Sequence, residues 1–141
     1  MIVKFLVPGP VKAKARHRTA MLPSGRRIAY SDQHTVAYES LVTMCAREAG
    51  IHSNAYDGPV KLTAVFRFQI PKSRRKLREG DPHCQRPDAD NCQKAILDGL
   101  NQIAWHDDAQ VSEISVRKAW TRGEPGAEVE IEYSDSATPK A

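Results

Sequence analysis

The apolar positions along the chain follow two periods, and the switches between them mark the elements. Residues 2–7, IVKFLV, read as a short first strand. From Gln33 to Ala49 the pattern turns helical, with Ala37, Leu41, Met44 and Cys45 on one stripe and Gly50 placed to end the helix. Val60, Leu62, Ala64, Phe66, Phe68 and Ile70 then alternate through residues 59–70, as in a half-buried strand. A second helix is expected from Asn91 to Asn101. Its stripe is Cys92, Ala95, Ile96, Gly99 and Leu100, continued by Ile103. Residues 111–120 place Ile114, Val116 and Trp120 on one strand face. Residues 127–133 alternate Val129, Ile131 and Tyr133 with three glutamates. TRGEPG (121–126) reads as a turn, so these last two strands are expected to form a hairpin. The order β-α-β-α-β-β implies an α+β fold, a mixed β-sheet with two main helices packed against it.

With 141 residues, 40% of them hydrophobic, one domain is expected, spanning residues 1–134 and leaving 135–141 as a frayed tail. No apolar run approaches the roughly 18 residues a membrane span needs, so no membrane partner is expected. A proline comes too early in MIVKFLVPGP for a secretory leader. Cys45, Cys84 and Cys92 cannot all pair within one chain, which suits a reducing, cytoplasmic setting. Residues 71–87 lack periodicity and contain Pro71, Gly80, Pro82 and Pro87. A loop that long in a small domain is usually functional or mobile.

Charge divides the chain unevenly. Residues 1–87 hold sixteen Lys/Arg against six Asp/Glu, whereas residues 88–113 hold six acids and one lysine. A basic body with one acidic spot suggests a polyanionic partner and a cation site, with scattered surface charge as the bland alternative. Lys12, Lys14, Arg16 and Arg18 are spaced two apart and would project to one side of an extended segment. PKSRRKLR (71–78) holds five positive charges, either a solvated loop or a phosphate-binding one.

The acidic spot centres on RPDADNCQKAILDGL (86–100), followed by AWHDDAQV (104–111). If the chain stays extended through Asp90, Asp88 and Asp90 point the same way. Asp90 can equally be a helix N-cap, with Gln93 completing a capping box. Asp107 and Asp108 would face opposite sides of an extended segment, so at most one joins the cluster. Converging carboxylates repel, and a divalent cation resolves the conflict. Mg²⁺ accepts few carboxylates and keeps open positions for phosphate oxygen and water. Lys94, one turn past Asp90, is either an ordinary i, i+4 partner or a positive charge beside a reacting phosphate. Asp98 lies about 12 Å of helix rise beyond Asp90, too far to share its ion. Trp105 reads as a core aromatic, with base stacking as the alternative. His83, Cys84, Cys92 and His106 match no compact zinc spacing.

The stretch RPDADNCQKAILDGLNQIAWHDDAQV resembles the signature of RusA-type Holliday junction resolvases, crossover junction endodeoxyribonucleases common in phages and prophages. Asp88, Asp90, Asn91, Lys94, Asp98, Leu100, Asp107, Asp108, Gln110 and Val111 carry it. VPGPVKAKARHR near the N-terminus resembles the family's first strand and basic segment. The resemblance implies a homodimer that cuts four-way DNA junctions by paired nicks, using Mg²⁺ (one or two ions per site, with Mn²⁺ able to replace it). It implies that Asp88, Asp90 and Asp108 are the metal ligands and catalytic carboxylates, Lys94 the catalytic lysine, and Asn91 a support that orients the neighbouring acids. Lys12, Lys14, Arg16, Arg18, Arg26, Arg27, Lys72, Arg74, Arg75, Lys76, Arg78 and Arg86 are then the expected phosphate contacts. The alternatives are a nuclease for other branched or single-stranded DNA, and an inactive binder of branched DNA.

Overall fold

A computed structural model describes residues 1–13, 18–30 and 33–134. Its elements are β1 (Ile2–Pro8), β2 (Arg18–Met21), β3 (Arg27–Tyr30), α1 (Gln33–Glu48), β4 (Val60–Gln69), α2 (Ala89–Leu100), a 3₁₀ turn (Asp108–Gln110), β5 (Val111–Thr121) and β6 (Gly126–Tyr133). The fold is α+β, with a mixed four-stranded sheet and two helices. The strands lie in the order β1-β6-β4-β5, with β4 and β5 parallel and β6 antiparallel to both β1 and β4.

The expected hairpin of the last two strands does not form. β6 pairs with β1 and β4, and β4 separates it from β5. Leu62, midway along β4, sits opposite Ile114 of β5 on one side and Ile131 of β6 on the other. A turn signal reports that the chain reverses, but not whether the strands it joins are neighbours. Burial decides that here. Ala127, Val129 and Ile131 of β6 are fully buried, as an interior strand requires. Ile114 and Val116 of β5 are only half-buried and suit an edge. α2 carries the chain across the sheet, so β5 returns parallel to β4.

α1 and α2 pack against each other, α1 against β1 and α2 against β5. The α2 stripe is buried as the periodicity predicts, through Cys92, Ala95, Ile96, Gly99 and Leu100, with Ile103 half-buried beyond it. The expected α1 stripe is rotated by one position. Thr35, Tyr38, Val42 and Ala46 are buried, Leu41 and Cys45 are half-buried, and Ala37 and Met44 are exposed. Thr35 and Tyr38 were hidden from a purely apolar count because both carry hydroxyls. Gly50 does end α1. It takes φ +103°, while Ile51 N–H donates to Ala46 O and Gly50 N–H to Arg47 O, a Schellman closure. The helices meet at Gly99, where an added Cβ would lie 2.8 Å from Val42 Cβ, and Thr43 Oγ1 donates to Gly99 O at 2.6 Å.

Two parts of the chain depart from the expected loops. Residues 18–30 form a short hairpin, β2–β3, closed by a turn in which Gly25 takes φ +84°. Its four-residue strands are too short for alternation to show. Residues 71–87 are not a free loop. Gly80 N–H donates to Trp120 O, Trp120 N–H to Asp81 O, and His83 N–H to Lys118 O, so residues 80–83 cover the outer edge of β5. His83 is buried there, stacked on Phe68 with centroids 3.8 Å apart and tilted against Trp120 at 4.4 Å. Lys14, Arg16 and the tail 135–141 lie outside the described residues.

Candidate active site

α2 begins two residues earlier than its periodicity predicts, at Ala89. The chain is therefore helical at Asp90 rather than extended, and Asp88, not Asp90, is the N-cap; the Asp90–Gln93 capping box does not form. Asp88 has extended backbone angles but its side chain makes no capping hydrogen bond. Asp90 Oδ1 accepts from Asn91 N–H at 3.0 Å. Both carboxylates are exposed. Both also act on the buried thiol of Cys92. Burial is the main force pushing that thiol up to about 11; Lys118 opposes it, and Asp88 and Asp90 add to it. The two acids thus stand around one end of α2.

Asp107 and Asp108 have separate tasks. Asp107 caps the 3₁₀ turn: its carboxylate accepts from Ala109 N–H, and its own N–H donates to Gln110 Oε1 at 2.8 Å. Gln110 Nε2 in turn donates to Tyr56 O and Gly58 O, tying the turn to the chain before β4. Asp108 is half-buried. Its Oδ1 accepts from Trp105 Nε1 at 2.8 Å, and its N–H donates to Asn101 Oδ1 at 3.2 Å. Burial pushes its carboxyl above the usual aspartate range. The Trp105 hydrogen bond pulls it back, Asp98 and Asp107 raise it further, and Lys94 lowers it. Trp105 itself is fully buried, the core aromatic that its position suggested.

Asp88 and Asp90 share the head of α2, and Asp108 shares its surroundings with Lys94, Asp98 and Asp107. Lys94, four residues after Asp90 and four before Asp98, lies between them on the helix flank. Among the described residues no three His, Cys, Asp or Glu side chains gather closely enough to form a metal cage. Asn91 is in the first turn, where its backbone N–H, rather than its side chain, meets Asp90. Asp98 was set aside for its distance from Asp90, yet it is a neighbour of Asp108; its spacing of four from Lys94 was the available signal. Lys118 was missed altogether, because nothing in a strand's alternation marks a lysine that reaches towards another element.

The donor set suits a hard divalent cation in kind. Its atoms are carboxylate oxygens, exposed at Asp88 and Asp90 and half-buried at Asp108, and Mg²⁺ is commonly held by one or two carboxylates together with water and substrate phosphate. Asp88, exposed and free of a capping bond, could turn towards such an ion.

Exposed cations lie elsewhere on the chain. Lys72, Arg74, Arg75, Lys76, Arg78 and Arg86 are exposed, as are Lys12, Arg26 and Arg27; Arg18 is the first residue of β2. The 71–78 loop is braced rather than loose. Turn bonds run from Arg74 N–H to Pro71 O and from Leu77 N–H to Arg74 O, and the Arg122 guanidinium donates to Leu77 O. The acids that follow the loop are engaged by the fold. Glu79 Oε1 accepts from Thr121 Oγ1 and Arg122 N–H, and Asp81 Oδ2 accepts from Arg78 N–H. A cavity of about 450 Å³ at the base of the loop is lined by Lys72, Arg74, Arg75 and Arg122, with no carboxylate among its lining residues.

Exposed anionic oxygen donors and clustered exposed cations on one chain suit a nuclease, whose substrate is a polyanion. Residues 8–132 match the family described as Endodeoxyribonuclease RusA, and the chain belongs to that family. It is an endodeoxyribonuclease, of a family whose activity is the resolution of Holliday junctions in branched DNA. The chain is also similar to a Bacillus subtilis (strain 168) protein described as uncharacterized protein YqaN. The two are 28% identical over 136 residues, covering 92% of this chain and 94% of that one. Among the described residues no helix is long and apolar enough to cross a membrane.

Proposed function

We propose that this chain is a Mg²⁺-dependent resolvase that acts as a homodimer and nicks two opposing strands of a four-way junction symmetrically. The observation that carries this reading is the uncapped, exposed carboxylate of Asp88 at the head of α2. An aspartate at an N-cap ordinarily accepts a backbone N–H, a bond worth about 1 kcal/mol. Asp88 leaves it unmade and keeps its oxygens for another partner.

In this reading Asp88, Asp90 and Asp108 are the catalytic carboxylates, with Asp88 and Asp90 as the paired donors at the helix head. When bound, the divalent cation stabilises charge on the scissile phosphate and lowers the pKa of water. Lys94 contributes a second positive charge beside the phosphate. The loop cations at 72–78, with Lys12 and Arg86, hold the phosphate backbone and so position the junction without reading its sequence. A two-fold dimer presents two such sites to the approximate two-fold of a four-way junction, which accounts for paired nicks.

The test is a synthetic four-way junction incubated with the protein, with Mg²⁺ or with EDTA, beside flap and plain duplex controls. Symmetric nicks on the junction in Mg²⁺ alone are expected, with a dimer in sedimentation. Asp90→Asn should abolish cutting while binding survives or tightens, because a negative charge near phosphate is removed. Normal cutting by that variant would overturn the site assignment. Preferential cutting of flaps would move the substrate to other branched DNA.

A further inference from the structure

The segment that delivers Asp88 to the head of α2 is held in an unusual way. Residues 84–87 lie outside any helix or strand, and the Arg86–Pro87 peptide is cis. Among the described residues the one hydrogen bond these four make comes from β5: Lys118 Nζ donates to Gln85 O at 2.7 Å. Lys118 is itself well anchored. It pairs with Phe66 across the β4–β5 ladder, and its own carbonyl accepts from His83 N–H. Its ammonium lies 5.9 Å from the Phe68 ring centroid, so its stem runs beside the aromatic stack of Phe68, His83 and Trp120. One strand residue thus grips the approach to Asp88 at two points, at His83 through its backbone and at Gln85 through its side chain.

We propose that Lys118 is a positioning residue for the acidic centre, holding residues 84–88 against β5 so that the Asp88 carboxylate stands beside that of Asp90. This rests on the assignment of Asp88 and Asp90 given above. The reasoning is one of order. A carboxylate on a segment with no bond to the sheet samples many positions, and a displacement of about 1 Å from the productive geometry can slow a reaction on the order of a hundredfold. A rigid strand that clamps the preceding carbonyl removes most of that freedom.

The test compares wild type, Lys118→Met and Lys118→Arg. Methionine keeps the packing of the stem on Phe68 and loses the donor; arginine keeps a donor. Backbone ¹⁵N order parameters at residues 84–86 and 88, measured without metal, should fall in Lys118→Met from about 0.85 to below about 0.6, and should be restored by arginine. Single-turnover nicking of a four-way junction at saturating Mg²⁺ should fall by at least about tenfold in Lys118→Met, with recovery in Lys118→Arg, whereas junction affinity should change by less than about threefold. Lys118→Gln serves as the second variant if methionine does not fold. Unchanged order parameters at 84–88, wild-type nicking, or a loss confined to affinity would each overturn the proposal. If the wild-type protein leaves junctions uncut, the functional reading falls, and the order-parameter comparison alone still decides whether Lys118 clamps the segment.

Discussion

Replacing Asp108 by alanine and by asparagine separates what its oxygen does for the fold from what its charge does for the site. Trp105 is fully buried, and its Nε1–H donates to Asp108 Oδ1 at 2.8 Å. Alanine removes that acceptor and leaves a buried donor unpaired, at a cost of about 1–3 kcal/mol. For a chain of this size that corresponds to a fall in Tm of roughly 3–12 °C. Asparagine keeps an oxygen in the same place and removes a charge that burial disfavours. Asp108→Asn is thus expected to melt within about 2 °C of wild type at neutral pH, or above it. The pH dependence carries the sign. Burial raises the folded-state pKa of Asp108 above its ordinary value. Between those two values the folded chain holds more protons than the unfolded one, so the contribution of this carboxyl to stability declines as pH rises through that window. The advantage of asparagine over aspartate should therefore grow from below the ordinary aspartate pKa up to neutral pH. Thermal melts across that range measure the first effect, and junction nicking in Mg²⁺ measures the second. Both variants should bind junctions and fail to nick them. An asparagine variant that melts as low as the alanine variant would refute the hydrogen-bond argument, and one that nicks normally would remove Asp108 from the catalytic set.

Three further outcomes are expected. Lys94→Ala should slow the chemical step while leaving junction affinity within about twofold, since one phosphate-proximal charge contributes more to the transition state than to binding; an affinity loss at an unchanged single-turnover rate would count against it. Arg75→Ala and Lys72→Ala should weaken DNA binding regardless of sequence, each lowering the slope of log affinity against log salt by about 0.9; an unchanged slope would mean that the cavity at the loop base does not meet phosphate. Gly99→Ala should destabilise the fold by about 1–3 kcal/mol through overpacking against Val42. Val42→Ala in the same chain should recover part of that loss, and chemical denaturation of the single and double variants reads both.

Much of this molecule is local and was therefore legible in its sequence. The α2 stripe from Cys92 to Leu100 and the β4 row from Val60 to Phe68 follow from period alone, because a side chain's direction repeats with the backbone whatever surrounds it. Gly50 marked the end of α1 because only the left-handed conformation closes that helix so tightly. The acidic signature at 88–108 pointed to the family on the spacing of its aspartates and lysine.

Relations between distant segments had to come from tertiary structure. Periodicity cannot say which strands are neighbours, so the turn at 121–126 suggested a hairpin where β4 intervenes between β5 and β6. It cannot distinguish a free loop from one fastened to a sheet edge, as residues 80–83 are to β5. Nor does it show that Asp107 caps a turn while its neighbour Asp108 accepts from a buried tryptophan, or that Lys118, thirty residues beyond Asp88, grips the approach to it. Side-chain periodicity depends on a few adjacent dihedral angles. Pairing, charge environment and anchoring depend on which surfaces meet once the core has closed, and that is decided by packing over the whole chain.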